Sequence, residues 1–281
     1  MQIITSPEEL QRLCLDWRCG GVKTALVPTM GYYHAGHESL MAYARERADK
    51  VVVSLFVNPA QFAPGEDLAA YPRDLSGDAE VAQRAGADVL FTPQPEAMYP
   101  QGFDTWVEIP GLSSGLCGAD RPGHFRGVCT VVMKLMLLTL PRLAVFGEKD
   151  WQQLAVLRRM AKDMHLPVTI DGCPIVRETD GLAMSSRNVY LTPEERRQAP
   201  ALYQGLIRAR DMVAGGERDT AVLRAAVKEY WKQHLPEGRE DYLEIVHPDT
   251  LQPLERVGGM ATCAAAVRLG RARLIDNLAL I

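Results

Sequence analysis

The stretch KTALVPTMGYYHAGHESLMAYARERA, residues 23–48, holds one complete strand–loop–helix unit. Its first part, KTALVPT, is a short apolar run that reads as a buried strand stopped by Pro28. Its last part, HESLMAYARERA, spaces its apolar residues near 3.6 and predicts a helix. Two glycines and two histidines lie between them: Gly31, His34, Gly36 and His37. A continuous apolar strand feeding a helix is the repeating unit of a parallel sheet covered on both faces.

The unit repeats on either side. Upstream, SPEELQRLCLDWR predicts a helix with Ser6 as N-cap and Pro7 in the first turn. Downstream, KVVVSLFVN, ADVLFTP, LAVFG and PVTIDGCPIV read as strands, and DLSGDAEVAQRAG, GVCTVVMKLMLLTL and DWQQLAVLRRMAKDM as helices between them. This alternation predicts an α/β fold, a Rossmann-like doubly wound parallel sheet over residues 1–176. Ligands in such sheets bind beyond the carboxyl ends of the strands, which points to residues 28–37, 58–62 and 147–153. After residue 176 the alternation ends. One long helix is expected from Thr192, with Pro193 at its first position and Gly215 at its end. A second helix over 219–234 and three short strands follow, giving a smaller C-terminal α+β domain over 177–281.

Bulk composition narrows the function. Of 281 residues 47% are hydrophobic, so a sizeable core can form, and a net charge of −4 argues against a protein-wide nucleic-acid surface. The six cysteines form no C-x-x-C pair, which favours reduced thiols and a cytoplasmic location. The first residues, MQIITSPEEL, do not have the form of a signal peptide. The apolar run VVMKLMLLTL contains Lys134 and is too short to span a bilayer, so no membrane association is expected.

The histidine pair admits three readings. Zinc needs three or four ligands, and H-x-x-H supplies two with no Cys/His cluster beside it. A plain capping turn with incidental histidines is the second. The third is phosphate handling: two imidazole donors on one face, flanked by glycines, at a helix start whose free N–H groups favour anions.

The string HAGH resembles the H-x-G-H signature of the nucleotidylyltransferase superfamily, which includes class I aminoacyl-tRNA synthetases. The longer LVPTMGYYHAGHESL is similar to the pantoate–β-alanine ligase (pantothenate synthetase) family. VSLFVNPAQF, YPRD, RPGHFRGV, FGEKDWQQL, DGLAMSSRNVYL and ARLIDN agree with that family in order along nearly the whole chain. Tyr33 stands where the family usually has Leu. The resemblance implies a two-step reaction. Pantoate attacks the α-phosphate of ATP to give pantoyl adenylate and pyrophosphate, then the β-alanine amine displaces AMP.

It also implies a site. His34, His37, Lys149 and Arg187 would be catalytic. ATP would be held by Met30, Gly31, Tyr32, Tyr33, Ala35 and Gly36, by Gly147, Glu148 and Asp150, by Val176, and by Met184, Ser185 and Ser186. The last group resembles the K-M-S-K-S loop of the superfamily and would close as a lid. Pantoate would meet Gln61, Gln153 and Asn58, whose neutral amides suit a hydroxy acid. β-Alanine would meet Gln61. Mg²⁺ would accompany ATP, with Asp78 as its protein ligand. The family implies a homodimer. Two other readings compete: a nucleotidylyltransferase for a phosphorylated acceptor, which would want more cations around the acceptor, and a catalytically silent nucleotide-binding module. A tRNA synthetase would want a basic anticodon-binding domain, and none is evident.

Overall fold

The computed structural model describes residues 1–281. Six strands form one parallel sheet: β1 (Gln2–Ile4), β2 (Thr24–Thr29), β3 (Lys50–Leu55), β4 (Val89–Phe91), β5 (Leu143–Gly147) and β6 (Thr169–Cys173). Their spatial order is β1-β4-β3-β2-β5-β6. The order reverses direction between β2 and β5, so the switch point of the sheet lies at the ends of those two strands.

Period-two alternation explains why both faces are covered. Ala25, Val27, Val51, Val53, Leu143 and Val145 face one way and pack with Leu40, Met41 and Ala44 of α2 (Ala35–Arg45). Leu26, Val52, Ala144 and Phe146 face the other way, against α1 (Pro7–Cys19), α7 (His124–Thr139) and α8 (Trp151–Asp163). Helix α7 is apolar nearly all round because it runs through this second core, and no helix is long and apolar enough to cross a membrane. Its Gly127 is required by contact: a Cβ there would stand 2.2 Å from the Ala60 carbonyl oxygen.

Helix α3 (Leu75–Arg84) links β3 to β4, and three one-turn helices, α4 (Pro95–Met98), α5 (Pro110–Ser113) and α6 (Cys117–Asp120), lie between β4 and α7. One expectation is corrected here. Pro28 does not stop β2: the strand continues in register to Thr29, opposite Leu55, past the point where pairing with β5 ends at Leu26. The three-residue β1, too short to show a period, adds a parallel edge to β4.

The smaller C-terminal part is an antiparallel sheet, β7 (Arg239–Val246), β8 (Thr262–Leu269) and β9 (Ala272–Ala279). Helices α10 (Ala201–Ala214) and α11 (Thr220–His234) cover it. The single long helix expected from Thr192 is two helices. Helix α9 (Pro193–Gln198), opened by a Thr192–Glu195 capping box, stops before Pro200, whose missing N–H breaks the ladder ahead of α10. Trp231 of α11 crosses α10 at Gly205 and donates its indole N–H to the carbonyls of Ala201 and Leu202.

Candidate active site

The loop after β2 turns sharply. Gly31 and Tyr32 have φ of 86° and 56°, and successive left-handed residues leave the next N–H groups pointing into one concavity. Asp78 of α3 fills it: Oδ2 accepts from the Tyr32 N–H at 2.7 Å and Oδ1 from the Tyr33 N–H at 2.6 Å. The residue is 3% exposed, and its burial outweighs these bonds enough to raise its carboxyl above the usual range. Asp78, expected at Mg²⁺, is thus bonded through both oxygens to the backbone of the turn. Gly31 is needed for the same arrangement, since a Cβ would stand 2.8 Å from Asp78 Oδ2.

The turn delivers His34 to the N-cap of α2 and His37 to its third position. The His34 Nδ1 accepts from the Gly36 N–H at 3.1 Å, and the His37 Nδ1 accepts from the His34 N–H at 3.3 Å. The two histidines thus form a capping box with imidazoles in place of the usual hydroxyl and carboxylate. Since backbone N–H groups occupy both Nδ1 atoms, a neutral ring must carry its proton on Nε2. Capping and phosphate handling, rivals in the sequence, are therefore compatible: one nitrogen caps and the other remains a donor. Burial and the Lys149 ammonium push His34 down to about 4. Burial, His34 and Lys149 push His37 down to about 3.

The sign of the pH effect follows. Below the ordinary value of about 6.5 the unfolded chain binds protons at these rings and the folded chain does not. Their contribution to stability is complete above that pH and is lost as pH falls through about 4 for His34 and about 3 for His37. Side-chain ¹⁵N NMR at pH 6 should show both rings neutral and protonated at Nε2. A titration midpoint near 6.5 at either ring would contradict the geometry.

Two cavities share a wall at the switch point. The first, about 220 Å³, is lined by Met30, His34, Gly36, His37, Asn58 and Gln61, by Gly147, Lys149, Asp150 and Gln153, and by Val176 and Met184 through Arg187. The second, about 450 Å³, extends from Lys149, Asp150, Gln153, Ser185 and Arg187 to the antiparallel sheet. Segments from three strand ends and from 184–187 therefore meet, with Tyr71 bonding Ser186 at 3.0 Å between their hydroxyls. Gly31, Tyr32, Tyr33, Ala35 and Glu148, expected to touch ATP, line neither cavity. Their places in the turns are set by backbone geometry, and the Tyr33 hydroxyl bonds Thr29 at 2.9 Å.

The cations are held close to acids. Arg187 meets Asp67 through Nε at 2.9 Å and Nη2 at 3.0 Å. The Lys149 Nζ lies 3.5 Å from Asp150. The Asp150 side chain is half exposed, and the Lys149 and Arg187 charges outweigh the crowding around its carboxyl and keep it below its usual range.

The amide wall separates into two kinds. Asn58 is 1% exposed and has all its groups occupied. Its Nδ2 donates to Gln61 Oε1 and the Gly127 carbonyl, and its Oδ1 accepts from the Ala60 N–H and the Tyr99 hydroxyl. It therefore orients Gln61 from the cavity wall with its own hydrogen-bonding groups paired inside the protein. Gln61 presents its Nε2 beside the Met30 sulfur at 3.2 Å, a weak acceptor that a ligand oxygen can replace. Gln153 lines both cavities, while its neighbour Gln152 is buried and braces Leu112, Gly115 and Cys117.

Residues without an assigned role also line the site. Arg121 forks onto Glu66 at 2.6 and 2.7 Å and reaches His124, whose Nδ1 sits 2.8 Å from the Gln61 carbonyl. Burial and Arg121 push His124 down to about 4. The signal available in the sequence is the string RPGHFRGV, which puts Arg121 and His124 three apart before an apolar helix.

Comparison with known proteins agrees along the whole chain. The family model described as pantoate-beta-alanine ligase matches residues 2–279. A pantothenate synthetase of Nitratidesulfovibrio vulgaris (strain DSM 19637 / Miyazaki F) is 64% identical over 280 residues, 100% of this chain and 99% of that protein. The crystal structure of pantothenate synthetase from Thermus thermophilus matches with a TM-score of 0.93 at 48% identity, covering 100% of this chain and 99% of the other. A pantoate-beta-alanine ligase from Francisella tularensis, complexed with beta-gamma ATP and beta-alanine, matches with a TM-score of 0.81 at 31% identity, covering 100% and 98%.

Proposed function

The chain belongs to the pantoate-beta-alanine ligase family, and from that premise we propose how its two cavities divide the reaction. The enzyme joins pantoate to β-alanine at the expense of ATP, through pantoyl adenylate. The observation that carries the assignment of roles is the meeting of HAGH, GEKD and SSR around one cavity at the switch point.

In the first step a pantoate carboxylate oxygen bonds to the α-phosphorus, and the bond to the bridging oxygen breaks, releasing pyrophosphate. Charge builds on phosphate oxygens in both halves. The Nε2–H groups of His34 and His37 donate to them as neutral dipoles, and Lys149 and Arg187 supply fixed positive charge. For Arg187 this requires the triphosphate to compete with Asp67 for its fork. Gln61 and Gln153 orient the pantoate hydroxyls and carboxylate. In the second step the uncharged β-alanine amine bonds through nitrogen to the acyl carbon and gives up one proton, and the bond from that carbon to the phosphate oxygen breaks, its electron pair leaving with AMP. No protein nucleophile is needed, because the substrate carboxylate performs the attack.

Mg²⁺ enters in this reading as part of the ATP substrate, bound by phosphate oxygens and water. We place the division of the chain at 176/177, before Arg177, which is supported by separate apolar cores on either side. A cytoplasmic location is supported by six free cysteines. A homodimer is supported by family resemblance and by Leu15 and Leu137, 43% and 50% exposed on the packed pair α1 and α7.

The deciding assay omits each reactant in turn. Pyrophosphate release is expected only with ATP, Mg²⁺ and pantoate together, and AMP release in turnover only when β-alanine is added. Pantoate-independent exchange of pyrophosphate into ATP would remove this reading.

A further inference from the structure

The motif ARLIDN, residues 272–277, has no role in the chemistry above, yet it meets the turn that carries Lys149. That turn, Glu148–Asp150, joins β5 to α8, and neither it nor the start of α8 has a side-chain cap of its own. Asn277 of β9 supplies the missing partner from the other sheet. Its Nδ2 donates to the Glu148 carbonyl at 2.8 Å and to the Lys149 carbonyl at 3.1 Å, and the residue is 8% exposed. Two consecutive carbonyls on one amide group fix both the position and the tilt of the turn.

The amide is itself anchored. The Asn277 N–H donates to Asp276 Oδ1 at 2.8 Å. Asp276 receives both ends of the Arg177 fork at 2.6 and 2.8 Å, and the Arg177 guanidinium lies 3.4 Å from the centre of the Tyr203 ring. Arg177 follows Val176, a residue of the cavity wall. One chain of bonds thus runs from the crossing between the two sheets to the backbone of Lys149.

We propose that Asn277 is a positioning residue for the adenylation step, holding the Glu148–Lys149 backbone so that the Lys149 ammonium meets the transferring phosphate. This rests on the reading of Lys149 as a phosphate-binding cation. Asn277→Asp is the sharpest probe, since it keeps the shape and replaces the donor with an oxygen facing two carbonyl oxygens.

The test is a cycle of wild type, Asn277→Asp, Lys149→Ala and the double variant. It is read as pantoate-dependent pyrophosphate release in a single turnover without β-alanine. Asn277→Asp alone is expected to slow adenylation at saturating ATP by about 10- to 100-fold, the cost of misplacing a group by about an ångström. In the Lys149→Ala background the same change is expected to alter the rate by no more than about twofold. Leu278→Ala, which loosens the C-terminal core beside Asn277, serves as the stability control. It is expected to lower the melting temperature while keeping the adenylation rate. Asn277→Ser, which retains one donor, takes the place of the Asp variant in the cycle if the latter does not fold.

Equal factors in both backgrounds, or a wild-type rate for Asn277→Asp, would overturn the proposal. A wild-type rate for Lys149→Ala would instead bring down the reading of Lys149, and the proposal with it.

Discussion

Replacing Lys149 with Ala should slow formation of the acyl adenylate by about a thousandfold, the upper range for removing one preorganised group from a site where charge develops. Lys149 lines both cavities, so its charge stands at their shared wall. The cost to the fold should be small. Its ion partner is Asp150 at 3.5 Å, and a pair that water reaches is worth under about 1 kcal/mol. The melting temperature should therefore stay close to that of the wild type while rapid-quench measurement shows the rate loss. The same substitution removes a charge that helps depress His34 and His37, so both rings should titrate at higher pH in the variant. A rate within tenfold of wild type would exclude Lys149 from the chemistry.

His37→Ala should lower adenylate formation by about 100- to 1,000-fold for the loss of one donor. It should also destabilise the protein by about 1 kcal/mol, because the His34 N–H loses its capping partner. These two effects are separable. His37→Gln places at the third helical position a side chain that can close a capping box. The Gln variant should melt like the wild type and adenylate at a rate between wild type and Ala, since its amide keeps a donor at a shifted position. Equal adenylation rates for the Ala variant and the wild type would show that the ring serves α2 alone.

Much of the scaffold is legible because its signals are local. Continuous apolar runs such as KVVVSLFVN announce strands covered on both faces, and the 3.6 period of HESLMAYARERA announces its helix. The errors share a cause. Pro28 reads as a stop because proline cannot serve a ladder on both sides, but β2 is unpaired towards β5 by that point. The break at Pro200 escapes a reading by period because apolar spacing continues across it. Asn58 and Asp78 belong to site motifs, and nothing local in those motifs announces that their polar atoms bond other parts of the protein. Whether such a residue faces a ligand or supports one that does depends on the direction of its side chain.

What the amino-acid sequence alone determined was the α/β class, the change of pattern after residue 176, the family resemblance, and the set of segments that carry chemistry. Those depend on residue types within a few positions of one another. Only the tertiary structure decided that Asp78 closes on the Tyr32 and Tyr33 N–H groups, that both imidazoles keep Nε2 free, and that Asn277 reaches the Lys149 turn from 128 residues away. Such contacts depend on strand order and on how the two sheets meet. Both are set by the burial of apolar faces across the whole chain, and no short window of residues records them.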